Sequence, residues 1–178
     1  QQQRLSPYDE IIKFRADSIG WDWRLLAAVI YTESKFAINV SSPMGARGLM
    51  QIMPLTARVY EVENPLDPEE NIAAAVRYLS HLQSMFRIYT EDRTELMKFT
   101  LAAYNAGEGR IRDCMNYAAS IGAPNRKWSD IVAVIPDMRE DSILQQDTVK
   151  LGKFKGYETI KYVENMVRLR DAFTSISK

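Results

Sequence analysis

Glu33 is the residue whose position says most about chemistry in this 178-residue chain. It follows Val29 by four residues and Ile30 by three, so it lies on the apolar stripe of a predicted helix. It also falls in the last turn of that helix, where the macrodipole is negative. Because burial and the dipole both disfavour a carboxylate, we expect its pKa to be raised. A carboxyl group that stays protonated near neutral pH can act as a general acid.

Two structural roles for Glu33 are also compatible with this spacing. In the first, its side chain reaches past the edge of the stripe into solvent. In the second, it pairs with a buried arginine such as Arg47. In either role Glu33 would serve the fold and not catalysis.

A polar loop follows Glu33 closely. Residues 37–47 break the helical pattern with asparagine, serine, proline and glycine, and Gly45 and Gly48 permit positive φ and close backbone approach. Gln51 is then a lone amide among four apolar neighbours, so it must find partners or face a groove. The alternative is a core turn from which Gln51 points outward.

Three segments, in order along the chain, resemble the motifs of lytic murein transglycosylases, in the goose-type lysozyme-like group of glycoside-cleaving enzymes. The first joins Glu33–Phe36 to Ser42–Ala57, the second is Ala102–Gly107 and the third is Gly156–Val163. The resemblance implies an all-α fold. It would be a single lysozyme-like helical domain, similar to goose-type lysozymes and soluble lytic transglycosylases, with an active-site cleft.

The resemblance also implies roles for individual residues. Glu33 matches the single catalytic acid and base, Ser42 a serine beside the scissile sugar, and Tyr104 a tyrosine near the catalytic glutamate. The other substrate-binding positions that we expect are Gln51, Met53, Asn105, Tyr157, Glu158 and Tyr162. Two alternatives stand beside these roles: Tyr104 as a core tyrosine at a helix end, and Glu158 as a first-turn acid stabilised by the helix dipole.

The chemistry of the resembling family needs one carboxyl group. Glu33 would protonate the glycosidic oxygen between N-acetylmuramic acid and N-acetylglucosamine, and would then take the proton of the muramic C6 hydroxyl, which closes a 1,6-anhydro ring. Ordinary glycosidases use two carboxylates, and the next acid after Glu33 is Glu61. The alternatives are a hydrolytic lysozyme on the same fold, with a second acid activating water, and a non-catalytic glycan-binding or adaptor module.

The elements that must position these residues are all predicted to be helices. Helices are expected after Ser6, Asp22, Pro54, Asp67 and Ser129, and over about 94–104, 109–121 and 157–176. Residues 137–155 show no clear period and are predicted to form a long loop.

Composition excludes several classes of function. The 23 basic residues balance the 23 acidic ones, which argues against nucleic acid as a partner. With one histidine and one cysteine, the chain offers too few ligands for a zinc site built from histidine and cysteine clusters and no intrachain disulfide, and it has no dinucleotide or P-loop motif. We expect a monomer without metal or cofactor whose partner is the glycan strand of peptidoglycan.

The start of the chain suggests what surrounds it in the whole protein. Ser6–Asp9 and Trp23–Ala28 resemble a membrane-bound subfamily that carries a solute-binding-like domain before the catalytic one. We therefore expect residues 1–178 to be the C-terminal catalytic domain of a longer periplasmic protein. Association with the outer membrane would come only through its absent N-terminal region.

Overall fold

The computed structural model describes residues 3–177, and within them the regular structure is helical. No strand forms in this part of the chain; isolated β-bridges join Ser41 to Arg47 and Arg47 to Ile52. The helices are α1 (Asp9–Asp17), α2 (Trp23–Ser34), α3 (Pro54–Val59), α4 (Pro68–Phe86), α5 (Arg93–Ala106), α6 (Glu108–Ser120), α7 (Trp128–Val134), a 3-10 helix (Ile135–Arg139), α8 (Asp141–Leu144) and α9 (Tyr157–Ile176). The predicted all-α class is confirmed.

The described residues divide into two compact units. The first unit comprises the residues up to Ser80 and those from Asn165 onward, and the second comprises His81–Glu164. No helix between residues 3 and 177 combines the length and apolar character needed to span a bilayer.

The first unit is built around α2. Residues 25–30 of this helix are all buried, so the core surrounds it on more than one side. Asp22 caps its start by accepting a hydrogen bond from the Arg24 N–H at 3.0 Å, as the sequence predicted. The end of α9 packs on α2, with the Phe173 ring edge-on to Tyr31 at a centroid distance of 5.8 Å.

The second unit has an aromatic core of its own. The rings of Phe86 and Phe99 stack at a centroid distance of 5.9 Å, and Trp128 meets Phe99 edge-on at 6.3 Å. The backbone N–H of Trp128 donates to the Glu95 carboxylate at 2.6 Å, which joins the start of α7 to α5. Cys114 of α6 is buried in this unit, and burial with the neighbouring Asp113 raises the pKa of its thiol to about 12.

Two local predictions differ from the structure. Ser129 does not cap α7; the helix already begins at Trp128, because the Asp130 carboxylate accepts from the Lys127 N–H at 3.0 Å. Residues 137–155 are not one continuous loop, since the 3-10 helix and α8 occupy their first part.

Candidate active site

Glu33 lies in the last turn of α2 and is half-buried. Burial raises the pKa of its carboxyl group from an ordinary value of 4.5 to about 7. No hydrogen bond or ion pair to this carboxyl group is formed between described residues, and no neighbouring charge adds to the shift. Arg47 is exposed, so the proposed pairing of Glu33 with a buried arginine is wrong.

The chain reverses direction immediately after Glu33 and Ser34. Lys35 and Phe36 both adopt left-handed backbone conformations, with φ of 53° and 63°, which cost free energy in residues that carry a Cβ. The Phe36 ring packs against Tyr31 and Phe173, with centroid distances of 5.8 and 6.5 Å. This packing offsets the strain and fixes the end of α2, and with it the position of Glu33.

Ser42 closes a tight turn in the loop that follows. Its N–H donates to the Ala46 carbonyl at 2.9 Å, and its hydroxyl oxygen accepts from the Ala46 N–H at 3.0 Å. Since a hydroxyl group can both accept and donate, the Ser42 proton remains available to a ligand. The residue is half-buried.

Gln51 holds the same loop together from its other end. Its side-chain amide nitrogen donates to the carbonyls of Val40 and Gly48, both at 3.0 Å. The expectation of an amide that must find partners is therefore confirmed, whereas the alternative in which Gln51 points outward is wrong. Its carboxamide oxygen is the group left to accept from a ligand.

Asn71 organises this loop and was missed by the sequence analysis. Its side chain is fully buried, donates to the carbonyls of Arg47 at 2.9 Å and Pro65 at 2.8 Å, and accepts from the Met50 N–H at 2.8 Å. Gly48 lies against it so closely that a Cβ there would come within 2.4 Å of the Asn71 nitrogen. A signal was present, because Asn71 is a polar residue on the buried stripe of α4.

Met53 precedes α3 and is 41% exposed. Two further apolar residues of the first unit are also exposed: Met44 by 79% and Leu55 by 66%. Exposed side chains of this kind are available to cover the apolar face of a ligand.

The second unit carries the residues of the second and third motifs. Tyr104 is half-buried near the end of α5, and Tyr162 is buried in α9. Asn105 is exposed and accepts a hydrogen bond from the Thr159 hydroxyl at 2.8 Å, which joins the two motifs directly. Glu158 is exposed in the first turn of α9, where the helix dipole favours a carboxylate.

Tyr157 begins α9 and is 58% exposed. The guanidinium group of Arg139 lies over its ring at 3.7 Å from the centroid and also donates to its hydroxyl. A further bond from Arg139 to the Lys155 carbonyl, at 2.7 Å, holds the segment before Tyr157 in place.

Contacts thus join the predicted site residues in two groups. Ser42 and Gln51 belong to one hydrogen-bonded loop of the first unit, which follows Glu33 along the chain. Asn105 belongs to a second group through Thr159, beside Glu158 in the first turn of α9. Between residues 3 and 177, no three histidine, cysteine, aspartate or glutamate side chains gather as metal ligands.

A helical fold with a half-buried carboxyl group at the end of a core helix, followed by a loop held by amide and hydroxyl side chains, agrees with the lysozyme-like class expected from the motifs. The sequence model described as "Transglycosylase SLT domain" matches residues 10–125. The chain belongs to this family.

Relatives agree with this assignment over nearly the whole chain. A protein of Desulfosudis oleivorans named membrane-bound lytic murein transglycosylase F is 36% identical over 168 residues, covering 94% of this chain and 36% of the relative. A protein of Pseudomonas fluorescens with the same name is 35% identical over 179 residues, covering 99% of this chain and 36% of the relative. The chain therefore spans about a third of the length of these curated relatives.

A solved structure gives the same fold. The 70 kDa soluble lytic transglycosylase of Escherichia coli superposes with a TM-score of 0.61 at 26% identity, covering 94% of this chain and 24% of that one. The lysozyme-like architecture expected from the three motifs is confirmed by this match.

Proposed function

We propose that this chain is the catalytic domain of a peptidoglycan lytic transglycosylase. It cleaves the β-1,4 bond between N-acetylmuramic acid and N-acetylglucosamine and leaves a 1,6-anhydromuramic end. The observation that carries the proposal is the carboxyl group of Glu33, whose pKa burial alone raises to about 7. Membership of the SLT family supports the choice of substrate.

Glu33 acts twice in this reaction. In its protonated form, the carboxyl group donates a proton to the glycosidic oxygen as the bond to the muramic anomeric carbon breaks. The substrate's own N-acetyl oxygen stabilises the positive anomeric carbon. The Glu33 carboxylate then takes the proton of the muramic C6 hydroxyl, whose oxygen bonds to the anomeric carbon, so the proton balance of the enzyme is restored. Because the attacking group belongs to the same sugar, proximity lowers the barrier.

The pKa shift of Glu33 argues against a second carboxylate close to this residue. Retaining glycosidases place a second carboxylate about 5 Å from the first, and such a neighbour raises the pKa of the acid further. The shift at Glu33 has burial as its cause and no contribution from another acid. This argues against a nucleophilic carboxylate of the retaining type, and membership of the SLT family favours attack by the substrate hydroxyl.

The other site residues are proposed to bind the glycan. Ser42 offers a hydroxyl proton, Gln51 its carboxamide oxygen and Met53 an exposed apolar surface. The proposed contacts of the second unit are Tyr104, Asn105, Tyr157, Glu158 and Tyr162. Tyrosine rings suit this role, since sugars pack their apolar faces on aromatic side chains.

The setting of the domain in the whole protein is also a proposal. The named relatives are called membrane-bound and are longer than this chain. We propose that residues 1–178 form the C-terminal catalytic domain of a periplasmic protein, associated with the outer membrane through a solute-binding-like N-terminal region. Within that protein, the domain acts as a monomer on glycan strands.

Product analysis tests the proposed reaction. Peptidoglycan digested in heavy-oxygen water should yield muramic ends that lack the mass of one water, carry no heavy oxygen and resist borohydride reduction, as read by mass spectrometry. Labelled and reducible muramic ends would replace this proposal with a hydrolytic lysozyme. Binding without either product would indicate a glycan-binding module.

A further inference from the structure

Lysines are frequent in the segment of sequence that leads into α9. Residues 149–161 contain four lysines and a single acidic residue, Glu158, although the chain as a whole has no net charge. Lys150, Lys153 and Lys155 are all exposed. No described carboxylate forms an ion pair with any of these three lysines.

Asp113 fixes the start of this lysine segment (residues 150–155). The carboxylate is buried in α6, and its two oxygens accept from the backbone N–H groups of Lys150 at 3.0 Å and Leu151 at 2.8 Å. Both oxygens bond to the backbone, and the carboxylate forms no ion pair with a lysine side chain of the segment. A carboxylate that accepts two N–H bonds holds a backbone strongly.

Two arginines and a buried ring fix the rest of the segment. Arg110 donates to the Lys153 carbonyl at 2.6 Å, and Arg139 donates to the Lys155 carbonyl at 2.7 Å. Between them the Phe154 side chain is buried, and the backbone N–H of Phe154 donates to the Met138 carbonyl at 3.1 Å. The backbone is thus held on one side while the lysine side chains stay exposed.

Gly156 ends the segment under a tight steric constraint. A Cβ at this position would come within 2.3 Å of the Ile135 side chain, and φ is +73°. Glycine lets the chain pass close to Ile135 and then start α9 at Tyr157. The lysine segment therefore leads directly into Tyr157, which is proposed to bind the glycan.

We propose that the lysine segment binds the carboxylates of the peptides attached to the glycan. The proposal rests on the proposed function in taking peptidoglycan as the substrate, and it adds a determinant of specificity outside the acid–base chemistry. Three exposed ammonium groups on a fixed backbone complement a flexible peptide that bears several carboxylates. Because the lysines are exposed, each contact is weak and salt-sensitive, and the effect comes from the three together.

Binding to an inactive variant tests the proposal independently of catalysis. Soluble glycan strands carrying peptides are compared with the same strands after their carboxylates have been converted to carboxamides, with dissociation constants measured on the Glu33→Gln protein. We expect about ten-fold tighter binding of the carboxylate form at low salt. Adding Lys150→Gln, Lys153→Gln and Lys155→Gln should abolish this preference.

A matched control removes the same number of charges elsewhere in the second unit. Arg87, Arg93 and Lys127 are exposed residues of the second unit that lie outside residues 150–155 in the sequence, and their replacement by glutamine should leave the preference intact. Equal binding of both strand forms to the Glu33→Gln protein would overturn the proposal, as would a preference that survives the lysine substitutions. If the preference depends on the lysines but the protein with Glu33 intact releases no anhydro ends from peptidoglycan, the transglycosylase function alone would be refuted.

Discussion

At neutral pH, Glu33 is divided between its two protonation states, because burial raises its pKa to about 7. The acid form is required to start the proposed reaction and the carboxylate form to finish it. A single group can serve both steps only when neither state is much more stable than the other near the working pH. The position of Glu33 at the end of a buried helix meets this condition.

Replacing Glu33 by glutamine should abolish turnover. The substitution keeps the shape of the side chain and removes its acidic proton and its basic carboxylate, so we expect kcat to fall by about 10²- to 10⁴-fold, measured as the release of anhydro ends. The matched control is Glu69→Gln, in the exposed first turn of α4, which should keep full activity. Near-normal turnover by a folded Glu33→Gln protein would contradict the assigned role.

The same substitution should change how stability depends on pH. In the unfolded chain Glu33 loses its proton near pH 4.5, and in the fold near pH 7, so the native state binds the extra proton between these values. The stability contributed by the protonated group is therefore complete below pH 4.5 and is lost as the pH rises to 7.

Denaturant unfolding at pH 4.5 and pH 8 measures this effect. Relative to Glu33→Gln, the wild-type protein should lose at most about 3 kcal/mol of unfolding free energy between the two pH values. A difference between the two proteins that stays constant across the range would mean that the Glu33 pKa is not raised in solution.

At the scale of elements, the loop after α2 depends on the α4 residue Asn71. Three hydrogen bonds from this one side chain reach backbone groups of Arg47, Met50 and Pro65. The loop that contains Ser42 and Gln51 thus takes its shape from a helix that begins more than ten residues after it. We therefore expect Asn71 to position the residues of the candidate site.

Asn71→Ala should lower both stability and catalytic efficiency. Losing three buried hydrogen bonds should cost about 3 kcal/mol of unfolding free energy. At a temperature where the variant is folded, kcat/KM should still fall about ten-fold, because the loop loses its geometry. The control is Asn39→Ala, which replaces an exposed asparagine in the loop after α2. Unchanged kcat/KM in folded Asn71→Ala would restrict the residue to a structural role.

The sequence was most informative where a helix is specified by its own neighbours. Asp22 and Asp67 cap helices as predicted, because a capping side chain bonds to the backbone two or three residues away. The structure of residues 137–155 was not predictable in this way. Its contacts come from Asp113 and Arg110, which lie 37 to 43 residues away from their partners.

In the candidate site, too, features set by neighbouring residues were predictable, and features set by distant residues were not. Periodicity alone placed Glu33 on a buried stripe at a helix end and gave the direction of its pKa shift. The two bonds of the Gln51 amide and the network around Asn71 could not be derived from spacing, since they depend on how a loop without repeating structure folds back on itself. Local sequence patterns also could not predict that the motif residues belong to two different units.

For the molecule as a whole, catalysis should be independent of metal ions. The proposed reaction moves protons between one carboxyl group and the substrate, and no step in it needs a Lewis acid. Release of anhydro ends should therefore proceed at the same rate in excess chelator as in buffer. Loss of activity in chelator, restored by a divalent ion, would reveal oxygen ligands that take part in the reaction.

The buried Cys114 makes the chain convenient for spectroscopy. It is the only cysteine in the sequence, and with a thiol pKa of about 12 it carries almost no thiolate at the pH of maleimide coupling. A second cysteine introduced at an exposed position would therefore take up a fluorophore selectively, without removal of the native one. Pairs of such introduced labels would allow distances within either unit to be followed during turnover of single molecules.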